Sequence, residues 1–122
     1  MPTRGLRGAI TIGSDSREDI LTSTTELLEE ILRLNPSLKT EDIASALFTV
    51  TDDIASAYPA LAARQMGWEL VPMTCAREIP VVGSLPLCIR VLIHWNTDLP
   101  QSAVKHIYLR DAVKLRPDLA GK

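Results

Sequence analysis

Aromatic residues make up only 4% of this 122-residue chain, and its formal charge is −2. Both facts weigh against nucleic acid as a partner, because a phosphate backbone is held by a basic surface and unpaired bases by stacking rings. The stretch Arg4-Gly5-Leu6-Arg7-Gly8 has the composition of an RGG segment, but one copy inside an apolar strand does not make such a site. Only two cysteines occur, Cys75 and Cys88, without C-x-x-C spacing or an adjacent histidine, so neither a zinc site nor a redox pair is expected. There is no Gly-x-Ser-x-Gly elbow and no glycine loop closed by Lys-Ser or Lys-Thr. No apolar run approaches the ~20 residues of a membrane span. The opening Met1-Pro2-Thr3-Arg4-Gly5 lacks the apolar region of a secretory signal. The expectation is a single cytoplasmic domain covering 1–122, with no cluster of residues to hold a metal.

The most strand-like run is Leu87 to Thr97. Alternation puts Leu87, Ile89, Val91, Ile93 and Trp95 on one face and Cys88, Arg90, Leu92, His94 and Asn96 on the other. Both faces are apolar near the middle, the pattern of a central strand. Arg90 therefore has to meet an anion, either an internal carboxylate or a ligand.

Four further strands are predicted. Arg4 to Ile12 alternates, and Arg7 stands between Gly5 and Ala9 with room beside it. Leu47 to Thr51 is short, Leu70 to Ala76 contains Pro72 and so belongs at an edge, and Val104 to Leu109 comes last. Ser16 followed by Asp19 opens a long helix with Ile20, Thr24, Leu27, Leu28, Ile31 and Leu32 at helical spacing, stopped at Asn35-Pro36. Shorter helices are expected from Thr40 to about Ala46 and, broken at Tyr58-Pro59, from Ile54 to Gln65, with Gly67 ending the second. A helical turn follows Ala112. The class is α+β, a five-stranded sheet covered on one face by one long helix and short ones. The other face, apolar in several strands, calls for a homo-oligomer with clefts between subunits.

Arg7, Arg90 and Arg116 sit among apolar or small residues, and arginine grips carboxylates through a planar fork. Glu78 is the acid nearest the Arg90 strand, and one acid cannot neutralise three guanidiniums. Either an anionic ligand or salt bridges from Asp111 and Asp118 complete the set. Tyr108 could donate to the same anion or simply pack. Cys75 has no histidine near it in sequence, which disfavours a nucleophile, and His94 reads as structural. Cations and hydrogen-bond donors without nucleophile, metal or base fit a binder of small anions, or an enzyme working by orientation and electrostatics.

Arg4-Gly5-Leu6-Arg7-Gly8-Ala9, Val71-Pro72-Met73-Thr74-Cys75 with Glu78, Cys88-Ile89-Arg90-Val91, His106-Ile107-Tyr108-Leu109 and Leu115-Arg116-Pro117-Asp118-Leu119 together resemble the monofunctional chorismate mutases of the AroH class. The resemblance implies a homotrimer with a central pseudo-barrel, active sites at subunit interfaces, and conversion of chorismate to prephenate without cofactor. It implies Arg90 at the ether oxygen, Arg7 and Tyr108 at the side-chain carboxylate, and Glu78 and Cys75 at the ring hydroxyl. Met73 and Thr74 are implied to line the pocket, with Tyr58, Ala60 and Arg64 from a neighbouring subunit, and Leu115 and Arg116 to close over it. Leu61 departs from the family by standing where members often carry a charge, and the tail ends soon after Leu119. A small-anion binding or regulatory trimer on the same scaffold is the alternative.

Overall fold

The computed structural model describes residues 1–115. The strands are β1 (Thr3–Thr11), β2 (Ile43–Val50), β3 (Met73–Arg77), β4 (Cys88–Asn96) and β5 (Ile107–Leu109), with helices α1 (Arg17–Leu34) and α2 (Pro59–Gln65). They form one mixed sheet in the order β3-β2-β4-β1-β5. Strand β4 is central as expected, antiparallel to β1 and to β2, while β5 joins β1 and β3 joins β2 in parallel.

One face of the sheet carries the core. Leu6, Ile10, Phe48, Ile89, Ile93 and Trp95 pack toward Ile20, Leu27, Leu28 and Ile31 of α1. Each of these four helix side chains is completely buried and contributes ~1.5–3 kcal/mol. Gly8 is where helix and sheet come closest: a Cβ there would lie 2.8 Å from Ile31 Cδ1 and 3.2 Å from Val91 Cγ1. The helix begins as its sequence dictates, with Ser16 Oγ accepting the Asp19 N–H at 3.1 Å and Glu18 and Asp19 at the positive end of the dipole. It ends at Asn35, whose buried side-chain amide donates to Ile31 O and Lys105 O and accepts from Lys105 N–H.

Three element boundaries differ from expectation. Thr40–Asp42 is a single 3-10 turn and β2 starts at Ile43, so no helix reaches Ala46. Pairing with β4 outweighs the local helix-start signal, and a bulge between Ile43 and Ser45 lets Ile43, Ala46 and Phe48 all face the core. Helix α2 starts only at Pro59, since the residues before it form turns. Strand β5 is reduced to Ile107–Leu109 because Gln101–Ala103 is a 3-10 turn and the Lys105 backbone is taken by Asn35. The proline-bearing segment is at the edge as anticipated, but β3 begins just after Pro72.

The face away from α1 is more polar than alternation suggested. Half-buried Leu47 and Leu92 stand among Arg7, Ser45, Thr49 and His94, with His94 Nδ1 hydrogen-bonded to Ser45 Oγ at 2.9 Å. At its β5 end the 3-10 turn Arg110–Lys114 brings Ala112 onto Ala9, Cys88 and Tyr108. Among the described residues no helix is long and apolar enough to cross a membrane.

Candidate active site

Strand register builds the site. Ala76, Thr49, Arg90, Ala9 and Tyr108 are paired successively across all five strands, forming one row on the face away from α1. With strands ~4.8 Å apart, Arg90 and Tyr108 flank a gap two strand spacings wide, floored only by the Ala9 methyl. Arg7 projects from the same face two residues along β1, opposite Leu92, while its backbone N–H donates to His106 Nδ1 at 3.0 Å. Arg7, Arg90 and Tyr108 are therefore brought together.

The polar groups flanking the gap lack acceptors. Arg90 Nε and Tyr108 OH are both buried and make no hydrogen bond within the described protein. A buried donor left unsatisfied costs ~1–3 kcal/mol, so two on either side of one small residue point to an acceptor-rich occupant. The nearest carboxylate to Arg90 is Glu78, at 3.7 Å from Nε, longer than a hydrogen bond. Glu78 is oriented instead by the Thr49 hydroxyl, which donates to Oε2, and by its own N–H to Val50 O at 2.8 Å. No ion pair among the described residues joins Arg7 or Asp111 to anything, so Asp111 does not complete the cation set. Burial pushes the Cys88 thiol pKa up, with Arg90 pulling the other way, and a buried protonated thiol beside the gap is not a nucleophile. The described residues contain no cluster of His, Cys, Asp or Glu able to hold a metal.

Glu78 and Arg90 open into a cavity of about 100 Å³ with Thr51, Ile79 and Leu85 on its wall. A second, larger cleft of about 530 Å³ lies elsewhere on the chain, lined by Tyr58, Leu61, Arg64 and Cys75 together with Arg17 and Arg77. Tyr58 is 71% exposed, an unusual state for tyrosine just before a helix. The loop that presents it is held by Asp15, whose carboxylate accepts the N–H groups of Ala55 and Ser56 at 3.0 Å each. These bonds, that from Ala55 foremost, hold the Asp15 pKa below its ordinary value.

The expected site residues thus divide into two groups. Arg90 and Tyr108 belong to the row, Arg7 stands two residues along β1 on the same face, Glu78 follows the end of β3 beside Arg90, and Leu115 packs on the Ala9, Cys88 and Tyr108 cluster. Tyr58, Arg64 and Cys75 belong to the second cleft: Cys75 is in register with Phe48, on the opposite side of β3 from Ala76. Thr74 is exposed in the row of Leu47, Leu92 and Arg7, while Met73 packs against the core and Ala60 is buried in α2. Arg116, with Asp118, lies outside the described residues. Thr49 carries no signal in the sequence, and Ala9 stands out there only as a small neighbour of Arg7; the register shows that one orients Glu78 and the other keeps the gap open between Arg90 and Tyr108.

The chain matches the family described as Chorismate mutase type I over residues 3–119. It is 56% identical to chorismate mutase AroH of Thermus thermophilus over 116 residues, 95% of each chain. It is 45% identical to chorismate mutase AroH of Bacillus subtilis over 121 residues, 98% of this chain and 94% of that one. A solved chorismate mutase from Clostridium thermocellum superposes with a TM-score of 0.86 at 44% identity, covering 88% of this chain and 96% of the other. With the fold, the sequence and the acceptor-seeking pair of Arg90 and Tyr108 in agreement, this chain belongs to the type I chorismate mutase family.

Proposed function

We propose that this chain converts chorismate to prephenate at sites assembled between copies, each copy giving its Arg90 row to one site and its Tyr58 cleft to the next. The carrying observation is the pair of buried donors without a partner among the described residues, Arg90 Nε and Tyr108 OH, on either side of Ala9. Chorismate is a dianion with a bridging ether, and its rearrangement breaks the C–O bond while a C–C bond forms, with negative charge growing on the ether oxygen. Arg90 donates to that oxygen, an interaction stronger in the transition state than in the ground state. Arg7 and Tyr108 hold the side-chain carboxylate, fixing the compact conformer and removing rotational freedom before the reaction. The Thr49-oriented carboxylate of Glu78 takes the ring hydroxyl. Cys75, lying with Tyr58 and Arg64, reaches the same hydroxyl from the adjoining copy, with Ala60 and Met73 packed behind that wall, and Thr74 lines the site from the Arg7 side of the sheet. Leu115 and Arg116 close over the substrate.

A closed trimer, in which the polar-apolar face around Leu47 and Leu92 turns inward as a pseudo-barrel, supplies that adjoining copy. The reaction serves phenylalanine and tyrosine biosynthesis, in the cytoplasm, and needs no cofactor.

The test is chorismate consumption by the purified protein, then co-expression of Arg90→Ala with Arg64→Ala chains. Each variant alone is expected to be nearly inactive. Random mixed trimers hold one intact site in three, so the mixture regains up to roughly a quarter of wild-type activity if Arg64→Ala alone is inactive. A wild-type protein that binds prephenate but leaves chorismate unchanged is a small-anion binder; activity with no regain in mixtures removes the shared site.

A further inference from the structure

Tyr108 sits in a strand of three residues, paired to β1 only through Gly8–Ile107, Ala9–Tyr108 and Ile10–Leu109. So short a strand does not fix a side chain by its ladder alone. It is bracketed by two side chains. On its N-terminal side Asn35 grips the backbone of Lys105 in both directions. On its C-terminal side stands Arg110, with a φ of 56°, in the left-handed region that a bulky residue rarely adopts. Leu87, with φ 48°, is the other such non-glycine residue described, and it directly precedes β4. Both outliers therefore adjoin the strands that carry Arg90 and Tyr108, as expected where strain is held for function.

At Arg110 the backbone turns away from β1 immediately after the Ile10–Leu109 pair, so the carbonyl of Thr11 meets no further strand partner on that side. The Arg110 guanidinium takes its place. One terminal nitrogen donates to Thr11 O at 2.8 Å and to Ser23 Oγ at 3.1 Å, and the other to Glu26 Oε1 at 3.1 Å. The Asp111 N–H adds a bond to Thr11 Oγ1 at 3.3 Å. Strands β1 and β5 and helix α1 are pinned at a single point. The Glu26 arm is exposed and contributes little. The Thr11 and Ser23 arms end in buried residues and both leave one terminal nitrogen, whose place is fixed by the planar guanidinium; a lysine ammonium has donors enough but no such plane to hold it there.

We propose that Arg110 is a positioning residue of the reaction: by anchoring the left-handed turn to Thr11 and Ser23, it sets the depth of the Tyr108 hydroxyl and the start of the segment from Asp111 to Leu115. The inference rests on the mutase reading. Ala112 and Leu115 pack on Tyr108, so one displaced turn moves hydroxyl and cover together.

Arg110→Gly is the informative variant, because glycine accepts the positive φ and keeps the turn while removing the fork. It is compared with Arg110→Lys, Glu26→Gln, Tyr108→Phe and the Arg110→Gly/Tyr108→Phe double variant, reading kcat, KM and melting temperature. Arg110→Gly should lose roughly 10- to 100-fold in kcat/KM, chiefly through KM. Its melting temperature should fall by no more than a few degrees, because relief of the positive φ partly offsets the lost bonds to Thr11 and Ser23. Arg110→Lys should not rescue, and Glu26→Gln should match wild type. In the Tyr108→Phe background the same Arg110→Gly change should cost less than about threefold, because both act on one contact. Equal losses in both backgrounds, or a change in melting temperature alone, overturn the proposal. Absence of turnover in wild type would instead remove the mutase reading beneath it.

Discussion

Replacing Arg90 with alanine separates catalysis from folding, since the structure assigns opposite consequences to the two. Loss of one donor aimed at developing oxyanion charge costs ~3–4 kcal/mol in the transition state. At ~1.4 kcal/mol per decade this is roughly a 100- to 1000-fold fall in turnover. On the folding side, Arg90 Nε is buried without a hydrogen bond, and its nearest carboxylate is 3.7 Å away. Truncation would strand that carboxylate were it buried, yet Glu78 is 27% exposed and keeps the Thr49 hydroxyl. The removed desolvation penalty and the lost packing are of similar size, so the melting temperature should move by no more than a few degrees. Arg90→Lys keeps the charge but not the fork and should be impaired almost as far. Chorismate absorbance against time, with melting curves on the same samples, decides the matter. Turnover within threefold of wild type in either variant refutes the transition-state role, and a loss of activity matched by unfolding returns Arg90 to a structural strut.

Gly8→Ala puts a methyl within 2.8 Å of Ile31 Cδ1 and 3.3 Å of Leu27 Cδ1, so the Ile31 side chain must leave its place in the core or the helix must move off the sheet; thermal unfolding should fall by roughly 4–10 °C, and an unchanged melting temperature would mean the interface yields freely. Tyr108→Phe deletes a hydroxyl that has no partner among the described residues, so stability should hold or rise while KM increases roughly 10- to 100-fold, at least as far as in Arg110→Gly; steady-state kinetics and calorimetry on one preparation check both halves. Asp15 has a native pKa below its ordinary 3.8, so its hold on Ala55 and Ser56 is complete at neutral pH and disappears as pH falls through the lowered native value. Asp15→Asn should therefore lower the melting temperature at neutral pH, and the gap from wild type should close on acidification well below the ordinary carboxylate range. A gap that persists there would assign its origin to packing.

Elements with strong periodicity were legible from the chain itself: β4 as the central strand, α1 with its Ser16 cap and Asn35 stop, and the edge position forced by Pro72. The short helix expected at Thr40 failed because capping signals are local, whereas Ile43 and Ala46 gain more from pairing with Trp95 and Ile93 two segments away. The second face of the sheet reads as apolar where Leu47 and Leu92 dominate their strands, while the gathering of Arg7, Ser45 and His94 beside them follows only from the register. For the candidate site, the arginines stood out as cations among apolar neighbours, but nothing in one dimension could say that Ala9 lies between Arg90 and Tyr108. Cys75 shows the same limit: three residues from Glu78 in sequence, it lines a different cleft.

The row running Ala76, Thr49, Arg90, Ala9, Tyr108 makes catalytic competence a report on folding. Each junction in it depends on one strand register, and a slip of one residue in any of them sends a side chain to the helix side of the sheet. The last strand in chain order is also the shortest and closes the longest loop back to β1. During renaturation, helix signal and core fluorescence from Trp68 and Trp95 should recover ahead of enzymatic competence, which waits for β5 to dock.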